Sequence, residues 1–351
     1  MTKQADLKRR VRARSHLLSE PGSPDLGWMT EALHVSNGDA TDLPGTGLAP
    51  RLIYWRDVLH EGPVPAVGPA ELRRIRATFL IEAGADDRNE GDQMFTERDR
   101  TLEANRDGEY VLWFEADLYD QLQIIQILSR LAELDVPAER ITLICIGEHP
   151  DIARFGGLGE LHPDQLRELP ATRACKRLTP AALDLATQAW AALRAPEPTG
   201  LAAIAATRST DLRFLGEAFD RLSREYPSTR DGLSLTERRV LAAVADGAPD
   251  AGTAFTRLWH RETRPYLGDT FCYDTIRRLT QAPNPLLHTD SDRIDGSTPL
   301  RLTTTGARVL AGKADHITLN GIDRWIGGVH LHGHHPRWRW DEGTETVTTT
   351  T

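Results

Sequence analysis

The sequence has few cysteines: Cys145, Cys175 and Cys272 are the only three among 351 residues. An odd number of widely spaced cysteines gives neither a disulfide framework nor the paired spacing of a zinc site. Apolar runs are also short, and none approaches the roughly 20 residues that a helix needs to cross a bilayer. We therefore expect a protein that resides in the reducing cytoplasm and does not contact a membrane.

Basic residues are fewer than acidic ones, 42 against 51, so the formal net charge is -9 at pH 7. This balance argues against broad nucleic-acid binding by electrostatic attraction, although it leaves room for a local basic face. The content of 40% hydrophobic and 26% charged residues is typical of globular proteins. The length predicts two or three domains.

Four short apolar runs each stop abruptly at a polar turn. The first begins at Leu33, and the others cover residues 52–55, 110–114 and 141–146. Continuous apolar runs are typical of parallel strands buried on both faces, and the carboxyl ends of such strands meet at one edge of the sheet. The turns that would meet there are Asn37-Gly38-Asp39, Arg56-Asp57, Glu115-Ala116-Asp117 and Gly147-Glu148-His149.

The spacing between the runs predicts an α/β fold with a Rossmann-like parallel sheet. After the third run, apolar residues recur every three or four positions from Leu118 to Leu131, and Pro137 ends this helical pattern just before the fourth run. A strand, a helix and a strand in this order form a parallel pair. We divide the chain into a disordered basic extension (1–32), the sheet domain (33–164), an all-helical connector (165–231), a winged-helix-like α+β domain (232–315), and C-terminal strands with a disordered tail (316–351).

Two segments allow a nucleic-acid interpretation. Residues 8–14 are strongly basic, which fits a solvated tail or a nucleic-acid-binding arm. In the winged-helix-like domain, the third helix would offer Tyr273, Arg277 and Arg278 to DNA, but it also carries acidic residues. A winged helix can equally bind proteins.

Several motifs together resemble a bacterial family, the domain of unknown function numbered 1835. The resemblance extends from about Leu33 to Asp341 and implies no known activity, substrate or catalytic residue. The motifs are Asn37-Gly38-Asp39, Trp55-Arg56-Asp57, Glu61-Gly62-Pro63, residues 113–122, residues 232–237, residues 324–330 and Trp338-Arg339-Trp340-Asp341.

Carboxylates crowded at one sheet edge repel one another unless something compensates their charge. A bound cation, Arg56 with His60, or a raised carboxyl pKa would each do so. Hard oxygen ligands favour Mg²⁺ or Mn²⁺. Alternatively, Asp39 and Asp117 cap the helices that follow them.

We expect an enzyme, a hydrolase or transferase, that acts on a small polar or nucleotide-like ligand at this edge. A phosphate cradle is less well supported, because Gly38 stands alone without the usual glycine spacing. His60 with Glu61, or His149 with Glu148, would supply an acid and a base. The alternative is a ligand-sensing transcriptional regulator. The predicted catalytic residues are Asp39, Asp57, Glu115 and Asp117, and the predicted ligand-binding residues are Asn37, Gly38, Trp55, Arg56, His60, Glu61, Asp120 and Gln121.

One further pattern lies near the C-terminus. His330, His332 and His334 alternate, so in a strand they would share one face and could bind zinc or nickel. A solvent-exposed turn is the simpler interpretation. Cys145 lies inside an apolar run, where we expect a buried and inert thiol.

Overall fold

The computed structural model describes residues 26–84 and 91–350. The basic stretch at residues 8–14 lies outside the described residues. The expectation that a disordered extension reaches residue 32 is wrong at its end, because Gly27–Glu31 forms a 3-10 helix. Met29 of this helix is fully buried and its carbonyl accepts a 2.8 Å hydrogen bond from Nε2 of His34. Burial of an apolar side chain therefore holds this segment against the first strand.

The strands fall into one large sheet and several small ones. The large sheet has five strands, and the small ones are a three-stranded sheet and two two-stranded sheets. In chain order the strands are β1 (Leu33–Ser36), β2 (Leu52–Tyr54), β3 (Gly62–Pro63), β4 (Tyr110–Glu115), β5 (Ile141–Ile146), β6 (Cys175–Arg177), β7 (Leu287–His288), β8 (Arg301–Leu302), β9 (Ile322–Gly327), β10 (Val329–Gly333), β11 (Trp338–Asp341) and β12 (Thr346–Thr349).

The helices lie mainly between and after the strands of the large sheet. Several open at a residue whose side chain caps the first turn, as Asp117, Thr179 and Ser234 do. In chain order they are α1 (Pro69–Glu82), α2 (Gly91–Ala104), α3 (Leu118–Glu133), α4 (Pro163–Glu168), α5 (Pro180–Arg194), α6 (Leu201–Ala205), α7 (Leu215–Ser223), α8 (Leu235–Ala245), α9 (Ala251–Arg261), α10 (Asp269–Gln281), α11 (Thr304–Leu310) and α12 (His316–Asn320).

The large sheet has five strands in the order β2-β1-β4-β5-β6. The first four are parallel, which confirms the α/β prediction and the parallel pairing of the four apolar runs. β6 joins β5 antiparallel. The prediction of an all-helical segment from 165 to 231 is therefore wrong at Cys175–Arg177, where an edge strand of three residues is too short to leave a periodic pattern.

Side chains that alternate along β4 and β5 bury both faces of this sheet. Leu112, Phe114 and Leu143 belong to one apolar cluster that also contains α3 and α5. Trp113 and Ile144 point the other way, into a cluster with Met29, Leu158 and Leu166. The apolar stripe predicted for the helix after β4 is fully buried in α3. The sheet is therefore covered on both sides, as parallel strands require.

A second apolar core is built from residues between Leu233 and Val309. It joins α8, α9, α10, the antiparallel pair β7–β8 and α11. A capping box opens α8, where Ser234 and Glu237 satisfy each other's backbone N–H groups.

The C-terminal strands return to the first core. β9 pairs antiparallel with β10 and parallel with β3, while Ile326, Val329 and Trp340 bury their side chains in the first cluster. The expected disordered tail at the C-terminus is wrong over Thr346–Thr349, which forms β12 against β11. Threonine and valine favour strands, and the facing Trp338 and Trp340 give them a surface to pair with.

Candidate functional site

The order of strands changes direction between β1 and β4. The chain leaves β1 to place β2 on one side and then returns past β1 to place β4 on the other. Open α/β sheets bind ligands in the crevice outside the carboxyl ends of the strands at such a switch point. Asn37 follows β1 and Glu115 ends β4, so the topology brings the first and third polar turns to this crevice.

Three carboxyl groups lie at the junction between β4 and α3. Asp117 is the N-cap of α3, and its Oδ1 accepts a 3.0 Å hydrogen bond from the backbone N–H of Asp120. Asp120 is fully buried and accepts hydrogen bonds at both oxygens: from the Asn37 side-chain amide at 2.9 Å and from the backbone N–H of Glu115 at 2.5 Å. The cap alternative for Asp117 is thus confirmed, and Asn37 from β1 is tied directly to this group.

Glu115 is enclosed by a glycine turn from beyond β5. Its Oε1 accepts a 2.7 Å hydrogen bond from the backbone N–H of Leu158. A Cβ atom on Gly157 would lie 2.5 Å from Oε2 of Glu115, and the φ of 158° at this position is one that other residues rarely adopt, so glycine lets the backbone lie directly against the carboxyl group. Gln121 donates to the Glu115 carbonyl at 2.7 Å and to Sγ of Cys145 at 3.4 Å, and the buried Cys145 agrees with the predicted inert thiol.

Burial raises the pKa of all three carboxyl groups, which we call the carboxyl cluster (Glu115, Asp117 and Asp120). Burial, followed by repulsion from Asp117, raises the pKa of Glu115 to about 8. Burial also raises the pKa of Asp117, to about 6, and the pKa of Asp120 is raised well above its usual value by burial and then by its two acidic neighbours. Since charge repulsion and desolvation both favour the neutral form, the carboxyl cluster retains a proton at neutral pH.

An open groove adjoins this cluster at the end of β5 and the start of β6. A cavity of about 20 Å³ beside Glu115, Asp117 and Gly157 shares Gly147 and Arg264 with a groove of about 610 Å³. The larger volume is in the range of small-molecule sites. Arg173, Arg213 and Arg264 line this groove, which we call the arginine groove.

The sequence did not indicate these arginines, because two of them lie far along the chain. The Arg264 guanidinium donates to the Gly147 carbonyl, and Arg213 donates to the Cys145 carbonyl at 3.2 Å. Both carbonyl groups belong to the end of β5 and the turn after it. Only the fold of the connector and the second core brings the two guanidinium groups to this edge.

Three predicted site residues lie at the open mouth of the crevice rather than in the carboxyl cluster. Asp39 and Arg56 form a 2.8 Å ion pair whose side chains are 72% and 38% exposed. A Cβ atom on Gly38 would meet nothing within 4 Å. The alternative role of Asp39 as a helix cap is wrong, because residues 39–43 form turns and bends without an α-helix.

Asp57 and Trp55 lie away from the carboxyl cluster. Oδ1 of Asp57 accepts hydrogen bonds from Arg76 at 2.9 and 3.0 Å, and both side chains are 1% exposed. The Trp55 indole donates to Gln126 at 2.6 Å and lies under the Arg98 guanidinium, 3.8 Å from its ring centre. The expectation that these side chains share the rim is wrong, because the chain turns inward after β2 and points them at helices.

His60 and Glu61 are also buried elsewhere. Neither ring nitrogen of His60 has a hydrogen-bond partner among the described residues, and its ring packs edge-on against Tyr119 and Tyr266. Burial lowers the pKa of His60 to about 3, so it is neutral and does not compensate the rim carboxylates as expected. Glu61 accepts a 2.9 Å hydrogen bond from Arg324 of β9.

The remaining acid–base pair predicted from the sequence lies at the surface, with Glu148 exposed and His149 half-buried. Glu148 pairs with Arg173 on the surface of the arginine groove, and the backbone N–H of Asp151 donates to Nδ1 of His149 at 3.3 Å. Both Glu148 and His149 line the groove, so they lie beside the carboxyl cluster without joining it.

A divalent metal fits the carboxyl cluster poorly. Both oxygens of Asp120 and one of Asp117 are occupied by hydrogen bonds from N–H groups. Among the residues that the structure describes, only Asp323, His330 and His332 bring three ligand atoms within 4.8 Å of one another. The expected Mg²⁺ or Mn²⁺ therefore finds no ready set of free oxygen ligands in the cluster.

The predicted DNA-binding side chains are engaged with other residues of the second core. Arg277 and Arg278 of α10 both pair with Asp274, one turn away. Tyr273 packs edge-on against Phe255, with ring centres 6.3 Å apart.

No helix in the described ranges, 26–84 and 91–350, is both long and apolar enough to span a membrane.

Comparison with known proteins adds no family to these observations. The resemblance to the domain of unknown function numbered 1835 therefore stays a prediction from the motifs. No known family model matches the chain, and no curated protein matches it.

Proposed function

We propose that the chain is an intracellular enzyme that acts on a small, polar, anionic ligand, such as a nucleotide, at the carboxyl ends of β1, β4 and β5. The observation that carries this proposal is the carboxyl cluster, which keeps a proton at neutral pH beside a groove of about 610 Å³. Buried carboxyls with separated pKa values are characteristic of acid–base catalysis. Arg213 and Arg264 would bind the anionic part of the ligand.

The proposed chemistry is hydrolysis or group transfer assisted by proton transfer. Asp117 and Glu115 would exchange a proton with the ligand or with a water molecule, for which the small cavity of about 20 Å³ leaves room. Asn37 and Gln121 would hold the cluster in position through the Asp120 side chain and the Glu115 carbonyl. No metal ion is needed for these steps.

The finer fold assignments belong to the same proposal. The strand order with its switch point between β1 and β4 supports a Rossmann-like sheet domain. Three helices followed by the pair β7–β8 support a winged-helix-like second domain. The pairing of Arg277 and Arg278 with Asp274 supports a structural or protein-binding use of that domain over a DNA-binding regulator.

A turnover assay with Asp117 variants tests this function. Adenosine, AMP, ATP, NAD⁺ and ribose 5-phosphate are incubated with the full chain, and products are followed by proton and phosphorus NMR. Asp117→Asn keeps an oxygen that can cap α3 but removes the acid, so we expect turnover to fall about 10²- to 10⁴-fold with little loss of stability.

Asp39→Asn at the exposed mouth is the matched control and should retain turnover within a few fold. Failure of the wild-type chain to change any of these compounds would contradict a nucleotide-like substrate. Full activity of Asp117→Asn would contradict the assigned acid–base role.

A further inference from the structure

The hairpin of β9 and β10 presents a polar face that the proposed function does not use. In its register His332 lies opposite Asp323 and His330 lies opposite Trp325. Side chains two residues apart in a strand point to the same face, so these four side chains are neighbours. Asp323, His330 and His332 are 71%, 39% and 72% exposed, whereas Leu331 between the histidines is buried.

The three ionisable side chains on this face converge. Nε2 of His330 lies 2.7 Å from Oδ1 of Asp323, and Nδ1 of His332 lies 3.8 Å from Oδ2 of the same carboxylate. In a tetrahedral zinc site, ligand atoms about 2.0–2.1 Å from the metal lie about 3.3 Å apart. The two observed distances fall on either side of that separation, and one ligand atom from each of the three residues lies within 4.8 Å of the other two. Small side-chain rotations would therefore bring the three atoms to one ion.

The hairpin also orients these side chains before any ion binds. The His330 ring stacks on Trp325 with ring centres 4.5 Å apart and an interplanar angle of 1°. One Asp323 oxygen faces each imidazole. The edge of β9 that does not pair with β10 is held by its pairing with β3. Less side-chain entropy is therefore lost when a ligand joins the three groups.

We propose that Asp323, His330 and His332 bind one divalent transition-metal ion of the zinc class, with water at the remaining position. Two imidazoles and one carboxylate without a thiolate suit Zn²⁺, Ni²⁺ or Cu²⁺ better than Mg²⁺. The ion would join β9 to β10 and stabilise the hairpin that carries Arg324, whose guanidinium holds Glu61 and Glu225 on the other side.

The structure changes which residues form this site. The sequence pattern suggested three alternating imidazoles, but β10 ends at Gly333, which has a φ of 82° and turns His334 away. Nδ1 of His334 lies 3.1 Å from the Thr318 carbonyl. Asp323, from the neighbouring strand, takes the place that the pattern gave to His334.

Calorimetric titration of ZnCl₂ into the untagged full chain tests the proposal at neutral pH. We expect one bound zinc per chain, a rise in melting temperature with zinc, and at least about tenfold weaker binding in His332→Ala and in Asp323→Asn. His334→Ala is the matched control and should bind zinc as the wild type does. Because all three positions are exposed, circular dichroism should show the native fold in each variant.

Three outcomes would overturn the proposal. They are no zinc binding by the wild type, unchanged binding in His332→Ala, and an equal loss in His334→Ala. The second would mean that zinc binds without His332, so that these three residues do not form the site. None of these results bears on the carboxyl cluster, because the two sites share no residue.

Discussion

Two aspartates that each follow a strand of the large sheet show how the neighbours of a carboxyl group decide its state. Asp57 is buried against the Arg76 guanidinium, which satisfies its charge. Asp117 is buried beside Glu115 and Asp120, and burial raises its pKa to about 6. Sequence alone placed both among the catalytic candidates, because a carboxylate after an apolar run looks the same whether or not a distant cation reaches it.

Asp57 should therefore matter for stability. Asp57→Asn leaves the Arg76 guanidinium buried without a counter-charge, and we expect the free energy of unfolding in urea to fall by about 3–5 kcal/mol. Asp39→Asn breaks an exposed ion pair and should cost no more than about 1 kcal/mol. A loss below 1 kcal/mol for Asp57→Asn would contradict a structural role for this pair.

The raised pKa of Glu115 predicts an unusual dependence of stability on pH. A carboxyl whose pKa is about 8 in the fold and about 4.5 when unfolded favours the folded state at low pH. This contribution is complete below pH 4.5 and is lost as the pH rises through 8, by at most about 1.4 kcal/mol per pH unit.

Glu115→Gln should flatten this decline, as measured by urea unfolding at several pH values. Glu139→Gln, exposed at the opposite end of β5, is the control and should leave the profile of the wild type unchanged. Parallel profiles for the wild type and Glu115→Gln would show that Glu115 titrates normally in the fold.

At the scale of elements, long periodic segments were predictable and short edge strands were not. The apolar residues from Leu118 to Leu131 predicted a helix, and the structure has one at Leu118–Glu133. β6 and β12 have three and four residues, too few for alternation to stand out from a loop. β3 has only two residues, and its partner β9 lies more than 250 positions away, so no local pattern could reveal the pairing.

The residues of the candidate site were likewise only partly predictable from the sequence. Asn37, Glu115, Asp117, Asp120 and Gln121 were predictable because they follow two adjacent parallel strands. Arg213 and Arg264 could not be assigned to the site from the sequence. Arg213 lies just before α7 and Arg264 lies between α9 and α10, so only the tertiary fold brings them to the groove. Trp55, Asp57, His60 and Glu61 were misplaced because the direction of the chain after β2 depends on tertiary contacts.

The docking of the β9–β10 hairpin depends on a glycine at its turn. A Cβ atom on Gly328 would lie 2.0 Å from the Arg194 carbonyl oxygen of α5. Gly328→Ala should therefore push the hairpin from α5 and lower the midpoint of thermal unfolding by several degrees, an effect of about 1–3 kcal/mol. Gly68→Ala, where a Cβ atom meets nothing within 4 Å, should change it little. Equal midpoints in the two variants would contradict this account of the docking.

At the scale of the whole molecule, the net charge of -9 and the internal pairing of Arg277 and Arg278 both oppose DNA binding. In a gel-shift titration at low salt, we expect the wild-type chain to bind duplex DNA no more tightly than the double variant Arg277→Ala/Arg278→Ala. Asp274→Ala frees both arginines and serves as the positive comparison. Clearly tighter binding by the wild type than by the double variant would favour the regulator.

The two apolar cores meet where the proposed site lies. Arg264, from the second half of the chain, donates to the turn after β5, and Arg221 of α7 pairs with Glu262 at 2.8 Å. The arginine groove therefore exists only when the sheet and the later helices are assembled. This arrangement explains why the site has carboxyls from one half of the chain and guanidinium groups from the other.

The central claim is that the carboxyl cluster at the end of β4 holds a proton at neutral pH. Carbon-13 NMR of the side-chain carboxyl groups, with Glu115→Gln and Asp117→Asn used to assign the signals, measures this directly. We predict that the Glu115 carboxyl titrates near pH 8. Titration of Glu115, Asp117 and Asp120 at the ordinary values of about 4 in the folded chain would contradict the claim.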